Sequence, residues 1–384
     1  MTAGRLDRLR AVAADADLDA VAVIPGPNLR YFTGLSFHLS ERPVVLIVPA
    51  AGAPRLIAPG FEAGKAAGLG FDVALHTYDD VEGPAAAFTA ALAALRQATR
   101  PRKGAPKDAP TGERVWLGVE GRRMRFLELD LMARSGHGPR VFDADEVFAE
   151  LRMRKDAAEI AAMRRAAEIA EAAYTATLPV VRAGVTERAI AHELFVQLLR
   201  AGSDIEVPFT PIVAGGPNGA NPHATPTDRA LEPGDLVTID WGAASGGYFS
   251  DITRTVAVAG APVHPELLRA YETVELAARV ARETVRPGAS GQDVDRAARE
   301  VIDDAGLGER FTHRTGHGLG LEGHEEPYMR EGSHVALEAG MTFTVEPGVY
   351  IPGLGGVRIE DDVVVTAAGG ESLTTLPRDL VTVG

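Results

Sequence analysis

The fold of this chain is decided by the stretch Val237-Thr238-Ile239-Asp240-Trp241-Gly242, which continues after a glycine-rich bend as Tyr248-Phe249-Ser250-Asp251-Ile252-Thr253. β-Branched and aromatic residues on both sides of a turn-rich segment predict a β-hairpin. With the bend centred between Ser245 and Gly246, Asp240 lies directly opposite Asp251 and both side chains share one face. Two carboxylates so close require a shared proton or a cation, although a solvated surface hairpin would explain the pair alone equally well.

A second acidic hairpin is predicted near the C-terminus, where Glu346 and Glu360 each follow a run of apolar strand residues. A bend at Gly353 brings the two acids near each other. Pro347 and Gly348 interrupt the ladder and predict a bulge. An acid in such a position either ends its strand in solvent or points into a metal site. Two hairpins of the same design favour the metal site, because carboxylate oxygens suit divalent ions.

Histidines fill a glycine-rich segment between the two hairpins, at His313, His317 and His324. Glycine lets the backbone approach an ion or a substrate closely. One imidazole can complete a metal site, while the others handle protons or a substrate oxygen. His223, in the upstream loop 216–226, is best explained alone as an exposed histidine of a turn. Together with the other motifs it becomes a candidate wall of a substrate pocket.

Composition excludes several classes of protein. The net charge of −14 argues against a nucleic-acid partner. The absence of cysteine excludes disulfides, thiolate nucleophiles and cysteine-based zinc sites. The first residues lack the apolar core of a signal peptide, and no apolar run is long enough to cross a bilayer. The sequence therefore predicts a cytoplasmic enzyme with no membrane partner.

Two domains are expected for a chain of 384 residues. Alternating strands and helices predict an α/β domain over residues 1–150, and short strands with covering helices predict an α+β domain over 151–384. The N-terminal elements are helices at 3–15, 84–97 and 126–133, strands at 20–24, 43–49, 54–59 and 115–119, and a polar loop over 99–113. The C-terminal helices are predicted at 156–177, 186–201, 265–284 and 291–305.

The C-terminal half resembles the pita-bread family of dinuclear metallopeptidases, which includes methionine aminopeptidase, aminopeptidase P and prolidase. The resemblance covers roughly residues 155–376, and the smaller N-terminal α/β domain resembles that of creatinase and of the proline-specific branch. The family order of metal ligands maps onto Asp240, Asp251, His317, Glu346 and Glu360. This match implies two divalent ions per subunit, Mn²⁺, Co²⁺ or Zn²⁺, and a metal-bridging water that attacks the peptide bond.

The same resemblance implies hydrolysis of Xaa-Pro bonds by a homodimer, with Glu346 both binding metal and shuttling a proton. The implied catalytic residues are Glu346, His223, His313, His324 and Arg358. The implied substrate-binding residues are His223, His324, Tyr350, Arg358 and Arg42.

A dipeptidase must bind the free carboxylate that follows proline, whereas an aminopeptidase must leave that side open. The compact spacing from Glu346 to Glu360 resembles short prokaryotic prolidases and favours an Xaa-Pro dipeptidase, with aminopeptidase P as the alternative. Some prolidases carry arginine in a His-Glu-x-Pro-Arg pattern, where this chain has Tyr328. Arg358 or Arg42 could replace it, Arg42 from a partner subunit, although a surface charge is the simpler interpretation of Arg42.

Three functions from other classes compete with the peptidase. A creatinase-like hydrolase shares the fold but works without metal. A non-catalytic pita-bread module binds proteins and typically lacks metal ligands. The complete ligand set favours a peptidase over both. A serine hydrolase is the third, but Ser245 and Ser250 lie in no Gly-x-Ser-x-Gly elbow.

Overall fold

A computed structural model describes residues 2–99 and 115–384, with side chains from residue 4 onward. The chain divides into two compact units, Met1–Leu151 and Arg152–Gly384, here called unit 1 and unit 2. The polar loop predicted over 99–113 lies, apart from Thr99, outside the described residues. No helix in the described ranges is long and apolar enough to cross a membrane.

Unit 1 is built on one six-stranded sheet. Its strands are β1 (Ala20–Val23), β2 (Val45–Pro49), β3 (Arg55–Pro59), β4 (Ala74–Tyr78), β5 (Trp116–Val119) and β6 (Arg140–Asp143). The helices that begin in this unit are α1 (Thr2–Asp15), α2 (Pro27–Thr33), α3 (Ala85–Ala98), α4 (Phe126–Arg134) and α5 (Asp145–Met153), with a 3₁₀ segment over Gly60–Gly68. The strand order is β4-β3-β2-β1-β5-β6.

The predicted α/β character of unit 1 is confirmed, and the predicted strands and helices occur within one residue of their expected ends, except that β2 begins at Val45 rather than at residue 43. The strands β4 and β6 were not predicted. Both lie at the edges of the sheet and have mostly exposed or half-exposed residues. An edge strand with little buried surface lacks the apolar pattern by which a strand is recognised in a sequence.

Unit 2 contains four helices and thirteen short strands among its described residues. The helices are α6 (Ala157–Thr177), α7 (Glu187–Ala201), α8 (Pro265–Thr284) and α9 (Gly291–Asp304). The strands are β7 (Ile212–Gly215), β8 (Leu236–Trp241), β9 (Ala244–Ser245), β10 (Tyr248–Phe249), β11 (Ile252–Val258), β12 (Gly316–Gly318), β13 (Glu325–Met329), β14 (Thr342–Val345), β15 (Gly348–Ile351), β16 (Gly355–Arg358), β17 (Asp361–Thr366), β18 (Gly369–Ser372) and β19 (Thr382–Val383). Three 3₁₀ segments cover Leu178–Val180, Gly216–Ala220 and Gly308–Arg310.

Two helix pairs cover the sheets of unit 2, which confirms the predicted α+β pattern. The pair α6 and α7 packs on the sheet β19-β11-β8-β7. There the Trp241 ring stacks on Tyr174 at 4.7 Å, and its Nε1–H donates to the carbonyl of Ala170 at 2.9 Å. The pair α8 and α9 shares a second core with residues of the sheet β13-β12-β14-β17-β18 and of the ribbon β15-β16. Helix α7 begins after Thr186, whose side chain accepts from Ala189 N and so caps the helix.

The register of the first hairpin differs from the prediction. Asp240 pairs with Thr253 rather than with Asp251. The turn is centred between Gly246 and Gly247, whose φ angles of +57° and +80° suit a tight two-residue hairpin loop. The pairing is thus offset by two residues, and an even offset leaves both acids on the same face of the ladder.

The second hairpin keeps its predicted register but has no bulge at Pro347 and Gly348. Gly348 pairs with Arg358, and Val345 pairs with Asp361, so the same register runs through both ladders. The ladder instead divides between them, with β14 in the five-stranded sheet and β15 in the ribbon. The interruption has the same length on both strands, so neither strand carries the extra residue that defines a bulge.

Candidate active site

Because the ladder of the second hairpin is interrupted, its two acids, Glu346 and Glu360, bond through their backbones to other segments of the chain. The backbone N–H of Glu346 donates to the carbonyl of Thr315 at 2.7 Å, and that of Glu360 donates to the carbonyl of Thr253 at 3.1 Å. Glu360 thereby joins the first hairpin, and Glu346 joins the histidine segment. The break in the ladder therefore brings three sequence motifs into one site.

Carboxylates surround His317 at the centre of this site. One ligand atom each from Asp251, His317 and Glu360 lies within 4.8 Å of the other two. His317 Nε2 is 3.6 Å from Asp251 Oδ2 and 3.3 Å from Glu346 Oε1. Its Nδ1 lies 3.2 Å from the carbonyl of Gly318, which can only accept, so the proton is on Nδ1 and the lone pair of Nε2 faces the acids.

Asp240 completes the acidic cluster from β8. Its Oδ2 accepts a hydrogen bond of 2.5 Å from Arg358 Nη2. Its Oδ1 is buried and has no hydrogen-bond partner among the described residues. A buried carboxylate oxygen without a donor is costly, and a cation beside it would remove that cost. This orphaned atom fits a divalent metal bound among the acids.

The electrostatics of the cluster also fit a bound cation. Burial raises the pKa of Asp251 well above its ordinary value, and the neighbouring acids, Glu360 first, raise it further. Burial, together with the charges of Glu346 and Asp240, also raises the pKa of Glu360 well above its ordinary value. Burial raises the pKa of Glu346 to about 7. Burial also holds the pKa of His317 well below its ordinary value, which keeps its imidazole neutral as a metal ligand must be.

A chain of hydrogen bonds runs from Arg358 through Tyr350 to His313. Arg358 Nη1 donates to the Tyr350 hydroxyl at 2.8 Å, and that hydroxyl lies 2.8 Å from His313 Nε2. His313 Nδ1 lies 2.7 Å from the carbonyl of Arg314, so Nδ1 carries the proton and Nε2 accepts from Tyr350. Burial lowers the pKa of His313 to about 4.

The other two candidate histidines, His324 and His223, are exposed. The His324 ring packs on His317 with 3.8 Å between centroids, and its Nδ1 is 3.1 Å from Arg314 Nη2. His223 is exposed, and the carbonyl of the preceding Pro222 accepts from Arg358 Nη1 at 3.1 Å. The structure thus brings the predicted site residues of unit 2 together. Arg42 lies in unit 1, where it pairs with Asp80 at 2.8 Å, and its role in substrate binding stays a prediction.

Four supporting residues were missed by sequence reasoning. Thr253 Oγ1 donates to Glu360 Oε2 at 2.5 Å, and the carboxylate of Asp362 accepts from Asp251 N at 3.1 and 3.2 Å. Two fully buried carboxylates hold the loops: Asp295 accepts from Thr315, and Glu187 accepts from Gly215, Asn218 and Thr227. A two-residue period from Asp251 could have found Thr253, but Asp295 and Glu187 lie on helices with no local signal.

Comparisons with known proteins match both units of the chain to known families. The model of metallopeptidase family M24 matches residues 161–367, and that of the creatinase/prolidase N-terminal domain matches residues 5–154. A probable dipeptidase PepE of Mycobacterium tuberculosis is 37% identical over 385 residues, with 99% of this chain and 96% of the relative covered. An Xaa-Pro dipeptidase of Lactobacillus delbrueckii subsp. lactis is 32% identical, with 98% of each chain covered.

A solved structure extends the likeness to the whole fold. The recombinant prolidase from Thermococcus sibiricus matches with a TM-score of 0.89 and 35% identity, covering 100% of this chain and 99% of that one. The M24 match alone spans more than half of the chain, and a metallopeptidase uses divalent metal. The chain therefore belongs to metallopeptidase family M24, with a creatinase/prolidase-type N-terminal domain and a pita-bread catalytic domain.

Proposed function

We propose that this protein is an Xaa-Pro dipeptidase that uses two divalent ions to cleave the bond before a C-terminal proline. The observation that carries the proposal is the buried cluster of acids around the neutral His317, with the orphaned Oδ1 of Asp240 beside it. Relatives aligned over nearly the full chain and named Xaa-Pro dipeptidase support the choice of substrate. The homodimer and the cytoplasmic location expected from the sequence stay predictions.

The ligands proposed for the two ions are Asp240, Asp251, His317, Glu346 and Glu360. Four carboxylates and one imidazole admit Mn²⁺, Co²⁺ or Zn²⁺, and cellular supply usually decides among such metals. The ions, when bound, would acidify a water and polarise the scissile carbonyl. The chain's own residues must then bind the peptide, move the proton and stabilise the oxyanion.

Glu346 is proposed to take the proton from the attacking water and return it to the leaving proline nitrogen. His324 is proposed to stabilise the oxyanion. Because Arg314 donates to His324 Nδ1, the ring proton is on Nε2, which remains available to donate to a substrate oxygen. His223 lies on the exposed side, where it can orient the peptide. His313, Tyr350 and Arg358 form a connected wall in which each group has a defined partner.

Aminopeptidase P activity is the alternative, and substrate length separates the two. The test is hydrolysis of Ala-Pro against Ala-Pro-Ala, after dialysis of the protein and addition of Mn²⁺. The dipeptidase proposal expects cleavage of Ala-Pro with little or no cleavage of the tripeptide. Cleavage of Ala-Pro-Ala alone would make the protein an aminopeptidase. With metal bound and neither peptide cleaved, both activities would be excluded.

A further inference from the structure

The proposed dipeptidase needs a cation for the free carboxylate of its substrate, and the inference below rests on that proposed function. Covalent geometry fixes where the cation must be. In an Xaa-Pro dipeptide the carboxyl carbon lies about 3–4 Å from the scissile carbonyl carbon, because only the proline N and Cα separate them. The cation must therefore lie no farther from the acidic cluster than about the length of one side chain.

Most arginines around the site are already paired with carboxylates of the chain. Arg358 uses four of its N–H groups, on Asp240, Tyr350, Thr253 and the carbonyl of Pro222, and it is 3% exposed. Arg299 pairs with Asp295 at 2.8 Å. The guanidinium of Arg152 is paired with Glu322 and Glu325. None of these groups has a charge left without a counter-ion.

Arg314 differs from them in both position and pairing. It is partly exposed and forms no ion pair with any carboxylate of the described residues. Its guanidinium lies over the Tyr328 ring, with 4.5 Å from Cζ to the centroid, and its Nη2 is 3.1 Å from His324 Nδ1. The ring and the imidazole hold the planar group in one orientation. This leaves its other N–H groups available for a bidentate contact with a carboxylate.

The contacts also place Arg314 at the required distance from the reaction centre. The His324 ring lies against His317, with 3.8 Å between centroids, and His317 Nε2 is 3.3 Å from Glu346. One imidazole therefore separates the guanidinium from the metal-ligand cluster. Tyr328 lies four residues after His324, so the ring under the guanidinium and the imidazole beside it belong to one short segment of the chain.

We propose that Arg314 binds the C-terminal carboxylate of the dipeptide, and that Tyr328 and His324 orient its guanidinium for this contact. Arg314 is then the residue that restricts the site to dipeptides. A charged hydrogen-bonded contact of this kind corresponds to about 10–100-fold in affinity. The contact is lost for a substrate whose carboxylate is replaced by an amide.

The test compares Ala-Pro with Ala-Pro-amide in the Mn²⁺-loaded wild type and in Arg314→Gln, Arg314→Lys and Arg330→Gln. Arg314→Gln is expected to raise KM for Ala-Pro about 10–100-fold with a smaller change in kcat, and to leave the amide nearly unaffected. Arg314→Lys should recover part of the loss because it keeps the charge. Arg330→Gln removes an exposed arginine of the same unit and should match the wild type.

Equal losses on both substrates would mean that Arg314 acts through His324 and would overturn the proposal, as would no loss on either. Calorimetric titration with L-proline and L-prolinamide gives a readout without turnover. The wild type should prefer proline, and Arg314→Gln should lose the preference. If the wild type cleaves neither peptide, the proposed function fails. Equal affinity of the wild type for proline and prolinamide would overturn the role of Arg314 independently.

Discussion

Thr253 and Glu360 are joined by two hydrogen bonds that link the two acidic hairpins. The Glu360 N–H donates to the Thr253 carbonyl at 3.1 Å, and the Thr253 hydroxyl donates to Glu360 Oε2 at 2.5 Å. Arg358 Nε donates in turn to the same hydroxyl at 3.1 Å. Thr253 therefore orients a proposed metal ligand without binding metal itself.

Replacing Thr253 by valine should weaken metal binding by about 10–100-fold, as is typical when a residue that orients a ligand is lost. The side-chain shape is kept, but Glu360 loses its hydroxyl donor. Competition between the protein and a chelator for Mn²⁺ measures the effect. Thr238→Val is the matched control, because Thr238 is also buried but its hydroxyl, among the described residues, bonds to Thr255 and to the carbonyl of Gly356 and to no acid of the cluster. Equal affinities in both variants would contradict this role of Thr253.

Replacing Asp251 by asparagine should give a folded, metal-poor and inactive protein. In the metal-free state Asp251 is buried with Glu360, Asp240 and Glu346, so removing its charge should leave the unfolding temperature unchanged or higher. Excess Mn²⁺ should stabilise the wild type, by about 2.7 kcal/mol at 100 times Kd, and the variant far less. Thermal unfolding with chelator and with Mn²⁺ measures both effects, together with bound metal.

Asp228→Asn is the control for that experiment, since Asp228 pairs with Arg188 on the surface of the same unit. It should keep the full response to Mn²⁺. Turnover by Asp251→Asn at full metal occupancy would remove Asp251 from the proposed ligand set.

The sequence was sufficient to predict the two acidic hairpins because their acids follow recognisable apolar strands. It was not sufficient to predict which residues pair in the first hairpin. Ala-Ala-Ser-Gly-Gly allows a turn centred at either of two places, and only the positive φ angles of Gly246 and Gly247 distinguish them. The two acids still lie together as predicted, because a two-residue offset keeps Asp240 and Asp251 on one face of the ladder.

Contacts between distant parts of the chain could not be predicted in the same way. The substrate role of Arg358 expected from the resemblance stays a prediction, but the contacts of its guanidinium with Asp240, Tyr350 and the Pro222 carbonyl were not predicted. The buried carboxylates of Asp295 and Glu187 lie on amphipathic helices, where an acid normally faces solvent. Their function depends on loops that approach only after the chain has folded.

Glu325 should contribute stability that depends on pH. Burial alone would raise the pKa of Glu325, but the charges of Arg152 and Lys155 outweigh it and hold that pKa below its ordinary value. A lowered pKa gives stability that is fully present above about pH 4.3 and is lost as pH falls through the folded-state pKa. Glu325→Gln should cost about 3–5 kcal/mol at pH 7, because it leaves Lys155 buried without its counter-ion.

Urea unfolding of the wild type and Glu325→Gln from pH 7 down to pH 3 measures this contribution. The difference between the two proteins should shrink below about pH 4.3. Glu331→Gln is the matched control, because Glu331 pairs with Arg296 on the surface and should change stability little at any pH. A difference for Glu325→Gln that stays constant with pH would rule out the ion pair as its cause.

Glu187 should control the loop that carries His223. Its Oε1 accepts from Gly215 N at 2.8 Å, and its Oε2 accepts from Thr227 N at 2.8 Å and from Asn218 Nδ2 at 2.8 Å. In Glu187→Gln an amide NH₂ would face these N–H donors, so the loop should loosen. Because small displacements of positioning groups are costly, KM for Ala-Pro should rise by about tenfold.

Hydrogen exchange at the amides of Gly215 and Thr227 should become faster in Glu187→Gln. Glu193→Gln on the same helix, where the carboxylate accepts from Gln197 Nε2 at 2.6 Å, should change neither quantity. Unchanged exchange at both amides in Glu187→Gln would show that the loop is held by other contacts.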